Sequence, residues 1–146
     1  LVAFFAFLAS LFVFAAVTIY AIWVTQERQF DPFENESPQV VAESIVQQGG
    51  VVHVTATKCN TTDEPVAYDY TLSWRNVITR ELVFRKSVTG LVREPGCKTT
   101  TFENELTEDL KAGLWRLEGV ETAHSESGER AVEPYYTEPF EVVGVP

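Results

Sequence analysis

The sequence has no methionine, two cysteines, two histidines and no charged residue before position 27. Each shortage removes a class of chemistry. A blue-copper centre needs two histidines and a cysteine that converge, commonly with an axial methionine. This chain has no methionine and no Cys-x-x-His spacing near its C-terminus. No CxxC pair is present, which argues against a zinc site or a redox-active dithiol. G-x-S-x-G, H-E-x-x-H and a glycine-rich phosphate loop are also missing, so no nucleophile–base or phosphate-binding set can be assembled from motifs. The expectation is therefore a non-enzyme with no catalytic residue, cofactor or metal. Positive charge is scarce as well: 11 Lys and Arg stand against 21 Asp and Glu, for a net charge of −10. Such an acidic chain is a poor partner for nucleic acid, whose phosphates need a basic patch. It is equally ill suited to anionic lipid headgroups. The missing methionine at position 1 predicts that a few N-terminal residues, carrying the topology-setting Lys and Arg, are absent or removed.

What is present falls into two unlike parts. Residues 1–24 are almost wholly apolar, with Ser10 and Thr18 the conventional polar exceptions. At 1.5 Å per residue, a helix of that length would reach about 36 Å, enough to span a hydrocarbon core of about 30 Å with some tilt. Tyr20 and Trp23 stand where an interfacial aromatic belt would lie. The apolar region of a cleavable signal peptide is shorter, about 7–15 residues. This reading predicts a retained single-pass transmembrane helix over 1–24. Ala3, Ala6 and Ser10 share one helical face, at the small-residue spacing that lets a second helix approach. Residues 25–38 carry two prolines and five charges without an apolar period, and are expected to form a linker or stalk. Phe30 and Phe33 are the candidate interface residues within it.

Residues 39–146 show short alternating segments between turn residues, the signature of an all-β domain. Val52, Val54 and Ala56 alternate with His53, Thr55 and Thr57. Val66, Tyr68, Tyr70, Leu72 and Trp74 share one parity and predict a half-buried strand with an aromatic inner face. Leu82, Phe84 and Val88 suggest a strand ending in a Thr89-Gly90 turn, and 98–103 reads as extended. Residues 106–112 are expected to form one helical turn. Strands follow over 114–123 and 135–145, the last broken by Pro139 and confined to an edge or to pieces. Six or seven short strands in this length suit a sandwich. The run Leu110, Gly113, Trp115, Leu117 resembles the corner before the penultimate strand of immunoglobulin-like domains. Cys59 and Trp74 resemble the second-strand Cys and third-strand Trp of that family. The family's second Cys is expected near Leu117, whereas the other Cys here is Cys97. The resemblance implies an Ig-like or fibronectin-like antiparallel β-sandwich rather than a true immunoglobulin domain.

An even cysteine count in a domain outside the cytosol suggests a Cys59–Cys97 disulfide, the alternative being two free thiols in a reducing compartment. The disulfide would place the domain in an extracytoplasmic space. Asn35-Glu36-Ser37 and Asn60-Thr61-Thr62 fit the glycosylation pattern. His53 is expected to be a structural histidine and His124 a solvated one. The acidic run Glu103, Glu105, Glu108, Asp109 reads as a solvated face, or as a calcium or basic-partner contact. The segments Thr57–Val66, Ser73-Trp74 and Arg93–Cys97 resemble small membrane proteins encoded by bacteriophages and some bacteria, a likeness that implies a setting and no site. Together these readings predict a non-catalytic accessory subunit of a larger membrane complex. Its partners would be other membrane subunits and the bilayer, not nucleic acid. The alternative is an independent surface-binding or phage-encoded envelope module.

Overall fold

The computed structural model describes residues 13–19 and 30–145. Residues 13–19 are helical, and the Thr18 hydroxyl returns its hydrogen bond to the Phe14 carbonyl at 2.8 Å. Among the described residues no helix is long and apolar enough to cross a membrane. This corrects the expected transmembrane helix over 1–24, and with it the single-pass anchoring and membrane localisation. Ala3, Ala6 and Ser10 lie outside the described residues.

A separate compact unit begins at Asp31. It contains strands β1 (Phe33–Asn35), β2 (Val40–Val41), β3 (Ile45–Gln47), β4 (Val51–Asn60), β5 (Val66–Asn76), β6 (Leu82–Arg93), β7 (Gly96–Glu105), β8 (Gly113–His124), β9 (Arg130–Tyr136) and β10 (Phe140–Val143). In one sheet β4 is central, with β7 along one side and β1 and β2 sharing the other. In the second, β8 is central. It pairs with β5 on one side, which carries β6 at the edge, and with β9 and β10 in succession on the other. The expected sandwich was wholly antiparallel, but β3 runs parallel to β10. The linker also ends earlier than expected: β1 pairs Phe33–Asn35 with β4, and Phe33 is buried in the domain.

Strand parity explains which side chains meet. Val52 and Val54 of β4 face Leu72 and Trp74 of β5, Trp115 and Leu117 of β8, and Phe140 and Val142 of β10 in one apolar core. Trp74 and Phe140 pack edge to face, with ring centroids 5.8 Å apart, a favoured aromatic geometry. Residues 106–112 are not helical. They loop across the sandwich end and drop Leu106 and Leu110 into the core. Thr89 and Gly90 do not end β6. They form a bulge opposite Asp69, where Gly90 takes a φ of 72° and donates its N–H to Asp69 Oδ1. Pro134 is tolerated because β9 pairs only with β8.

Gly119 shows how tightly the inner faces fit. It pairs with Tyr135 across β8 and β9, and the tyrosine ring lies over it. A Cβ at this position would sit 2.1 Å from Tyr135 Cζ. Tyr135 is itself buried, so a Cβ here would force its ring to shift. Gly119→Ala is expected to destabilise the domain by about 1–3 kcal/mol through overpacking. Urea unfolding measures this, and pairing it with Tyr135→Leu should restore part of the loss.

Candidate functional site: a cleft between the sheets

The inner face of β4 continues the parity of Val52, Val54 and Ala56 to position 58, where the sequence supplies a lysine. The inner face of β8 continues Trp115 and Leu117 to position 121, where it supplies a glutamate. These two misfits meet. Lys58 Nζ lies 2.5 Å from Glu121 Oε1. Arg93 Nη2 of β6 reaches Glu121 Oε2 at 2.8 Å, and Asn35 Nδ2 of β1 donates to the same oxygen at 2.7 Å. Arg93 also donates to Asn35 Oδ1, closing the network across both sheets. Glu121 is 1% exposed. Burial alone would raise its pKa; the charges of Lys58 and Arg93, with the Lys58 and Asn35 hydrogen bonds, outweigh that and hold the carboxyl below its ordinary range. Burial also lowers the Lys58 pKa, with Glu121 opposing the shift.

Aromatic faces complete the cluster. Lys58 Nζ sits 4.1 Å from the Tyr135 ring centre, and the Arg93 guanidinium lies over Phe33 and Tyr68 at 4.1 and 4.7 Å. Such stacking offsets part of the cost of desolvating a cation. Of the two readings of Phe33, an interface contact or a packing residue, the structure shows the packing one, while Phe30 is half-buried.

Outside this cluster the sheets part. β6 and β7 are the edges of different sheets, and between them opens a cavity of about 360 Å³. Lys58, Lys86, Tyr70, Phe102, Gln39 and Tyr135 are among its lining residues. A second hollow of about 520 Å³ shares Lys58, Tyr68 and Phe102 with it. Both lips expose apolar side chains: Phe84 and Val92 on β6 are each at least 60% exposed, and Phe102 on β7 is 42% exposed.

The two lips differ in backbone order. β6 has register shifts against β5 between Tyr68 and Tyr70 and between Leu72 and Ser73. β7 pairs with β4 through ten consecutive positions without a shift. The direction of its hydrogen bonds follows from β4. The carbonyls of His53 and Thr57 accept from Ala42 and Glu36, on the side away from β7. Their partners Glu103 and Thr99 therefore belong to non-hydrogen-bonded pairs, as does Cys97, whose Cα lies 4.0 Å from that of Cys59. By alternation, the main-chain groups of Cys97, Thr99, Thr101 and Glu103 point outward along the edge. Among the described residues no strand pairs with them. The next outward carbonyl, that of Glu105, accepts from Arg85.

Cys59 and Cys97 sit opposite one another on β4 and β7 and form a disulfide, within the strands rather than in turns. His53 lies on the outer face of β4, with Nδ1 2.5 Å from Glu43 and Nε2 3.5 Å from Glu103. His124 Nε2 meets Asp69 at 2.8 Å. Among the described residues neither imidazole is hydrogen-bonded to a hydroxyl or thiol, and no three His, Cys, Asp or Glu side chains converge as a metal site. The cleft residues were legible only as charge on an apolar parity: Lys58 after Ala56, and Glu121 between Leu117 and Ala123. Gln39 carries no such signal, because it is a lone bridge residue beside Thr137 rather than part of an alternating strand.

No protein-family model matches this sequence, and no curated protein matches it. Among solved structures, a late embryogenesis abundant (LEA) protein has a TM-score of 0.56 at 9% identity, covering 91% of this chain and 84% of that one. An ASH/PapD-like domain of human CEP192 has a TM-score of 0.54 at 9% identity, covering 83% and 94%. At such identities the likeness is one of fold. The Pseudomonas fluorescens alkylpurine DNA glycosylase AlkC has a TM-score of 0.49 at 13% identity, covering 76% of this chain. The chain spans 30% of the glycosylase's length and, for Spo0M of Bacillus subtilis, half.

Proposed function

We propose that the domain is a non-catalytic binding module that takes an extended segment of a partner protein as an added strand along β7. The observation that carries this reading is the unpaired, regular edge from Cys97 to Glu103. Natural sheets blunt such edges with proline, bulges or projecting lysine. This stretch has neither proline nor bulge, and its one lysine, Lys98, turns toward the cleft. An extended segment laid there would gain main-chain hydrogen bonds from four residues, and its alternate side chains would cover Phe102 and the cleft mouth.

Charge selects among occupants. The outward face beside the edge carries Glu103 and Glu105, with Glu43 beyond them. A second copy of the chain would bring another net charge of −10. A basic segment is complementary, and its association would be steered by the domain's field and weakened by salt.

A peptide of ten residues alternating Val and Lys tests this, with the Val/Glu counterpart as control. The Val/Lys peptide should bind one to one, and the control should not. Thr101→Pro removes one outward N–H while leaving the β4 ladder intact, and it does not alter the charge. It should abolish binding with little loss of stability. Undiminished binding by a folded Thr101→Pro variant would overturn the reading, since attraction by net charge alone would then suffice.

A further inference from the structure

The cavity behind the β7 edge has a chemistry that strand addition does not use. Its polar groups are donors in excess. Both oxygens of Glu121 are engaged, Oε1 by Lys58 and Oε2 by Arg93 and Asn35, so its charge is already compensated. Lys58 gives Glu121 one of its three N–H groups, and Lys86 lines the same cavity with its ammonium 5.7 Å from the Tyr70 ring centre. Gln39 adds a third donor. Its side chain is 2% exposed, it lines the cavity, and its Nε2 has no hydrogen-bond partner among the described residues. The residue cannot easily turn away, because its main chain is fixed to Tyr136 and Glu138 by hydrogen bonds of 2.8 Å. A buried amide donor without an acceptor is costly, and a ligand that supplies the acceptor recovers that cost.

Tyr70, Tyr135, Phe102, Leu72 and Leu117 give the rest of the wall a large apolar and aromatic share, beside the polar Thr101, Glu103 and Asn104. Arg93, whose planar fork would suit a phosphate, is already held by Glu121 and Asn35 and packed against the perpendicular rings of Phe33 and Tyr68. Of the two carboxylates in the lining, Glu121 is held by Lys58, Arg93 and Asn35, and Glu103 is well exposed and lies 3.5 Å from His53 Nε2. Two lysine point charges and one amide donor set into an aromatic wall match a single carboxylate on a flat apolar body. The cavity lies within the size range of small-molecule sites.

We propose that this cavity binds a small aryl carboxylate, with its charge held by Lys58, Lys86 and the Gln39 amide and its ring against Tyr70 and Phe102. The inference does not rest on strand addition, although a strand laid along β7 would cover the mouth of this cavity.

Naphthalene-2-carboxylate, titrated by calorimetry, is the probe. It should bind saturably at one site per chain. The neutral naphthalene-2-carboxamide should bind about tenfold more weakly or worse, as loss of a charge-assisted hydrogen bond dictates. The cationic 2-naphthylmethylamine should show no saturable binding. Lys86→Ala lies on an exposed lip and Gln39→Leu removes an unpaired donor, so both variants should fold, as near-ultraviolet circular dichroism would verify. Each should weaken the carboxylate about tenfold. Equal affinity for carboxylate and carboxamide would overturn the proposal by reducing the cavity to an apolar hollow. Wild-type affinity in both variants, or no saturable binding, would overturn it as well. Binding of the Val/Lys peptide without the carboxylate would sink this inference and leave strand addition standing.

Discussion

Replacing Glu121 by glutamine is expected to cost about 3–5 kcal/mol, the penalty for breaking a buried ion pair from one side. The glutamine would fit the space, but Lys58 and Arg93 would remain as buried cations without a counter-charge. Removing all three charges together, as Lys58→Met, Arg93→Met and Glu121→Leu, should recover most of that loss, because well-packed apolar groups replace such a network at little net cost. The pH dependence follows from the sign of the shift. The Glu121 pKa is lower in the folded domain than its ordinary 4.5. Its contribution is therefore complete above that value and is lost as pH falls through the folded pKa. Denaturant unfolding of the wild type should show this acid loss, and the triple variant should lack the share due to Glu121. A Glu121→Gln variant as stable as wild type would mean that the network is solvated rather than buried.

Removing the disulfide gives the second large effect. Cys59 and Cys97 are separated by 38 positions, and closing such a loop restricts the unfolded chain by about 4 kcal/mol on the entropic model. The bond ties β7 to β4 at the beginning of the open edge, opposite the end where Leu106 and Leu110 enter the core. A Cys59→Ala, Cys97→Ala double variant should unfold at correspondingly lower urea. It should also raise hydrogen exchange in the first half of β7 more than elsewhere. A uniform rise across both sheets would instead assign the loss wholly to global stability.

The long alternating strands could be read from the sequence because both faces of a strand leave a period-two record. Val66 to Trp74 showed its inner face directly, and 114–123 was legible as a strand, although Val120 on it is exposed. β6 misled because its edge position exposes both faces and two bulges shift its parity, so Leu82 and Phe84 look inward-facing by pattern and yet stand in solvent. The apolar N-terminal run misled in another way: hydropathy marks a segment as able to enter lipid, whereas the described residues include no helix long and apolar enough to cross it. The site left only traces, a lysine and a glutamate where the pattern called for apolar residues. Their meeting is a tertiary fact, set by β4 and β8 facing each other across the core. The open edge of β7 left no trace, since the hydrogen-bond direction of a strand depends on which neighbour it acquires.

Amide hydrogen exchange along β7, resolved residue by residue, tests the open edge most directly. In the free protein Lys98, Thr100, Phe102 and Asn104 should exchange slowly through their bonds to β4, while Thr99, Thr101 and Glu103 exchange fast. Saturation with the Val/Lys peptide should slow the fast set selectively. Uniformly slow exchange in the free protein, or a fast set left unchanged by bound peptide, would contradict an edge that waits for a strand.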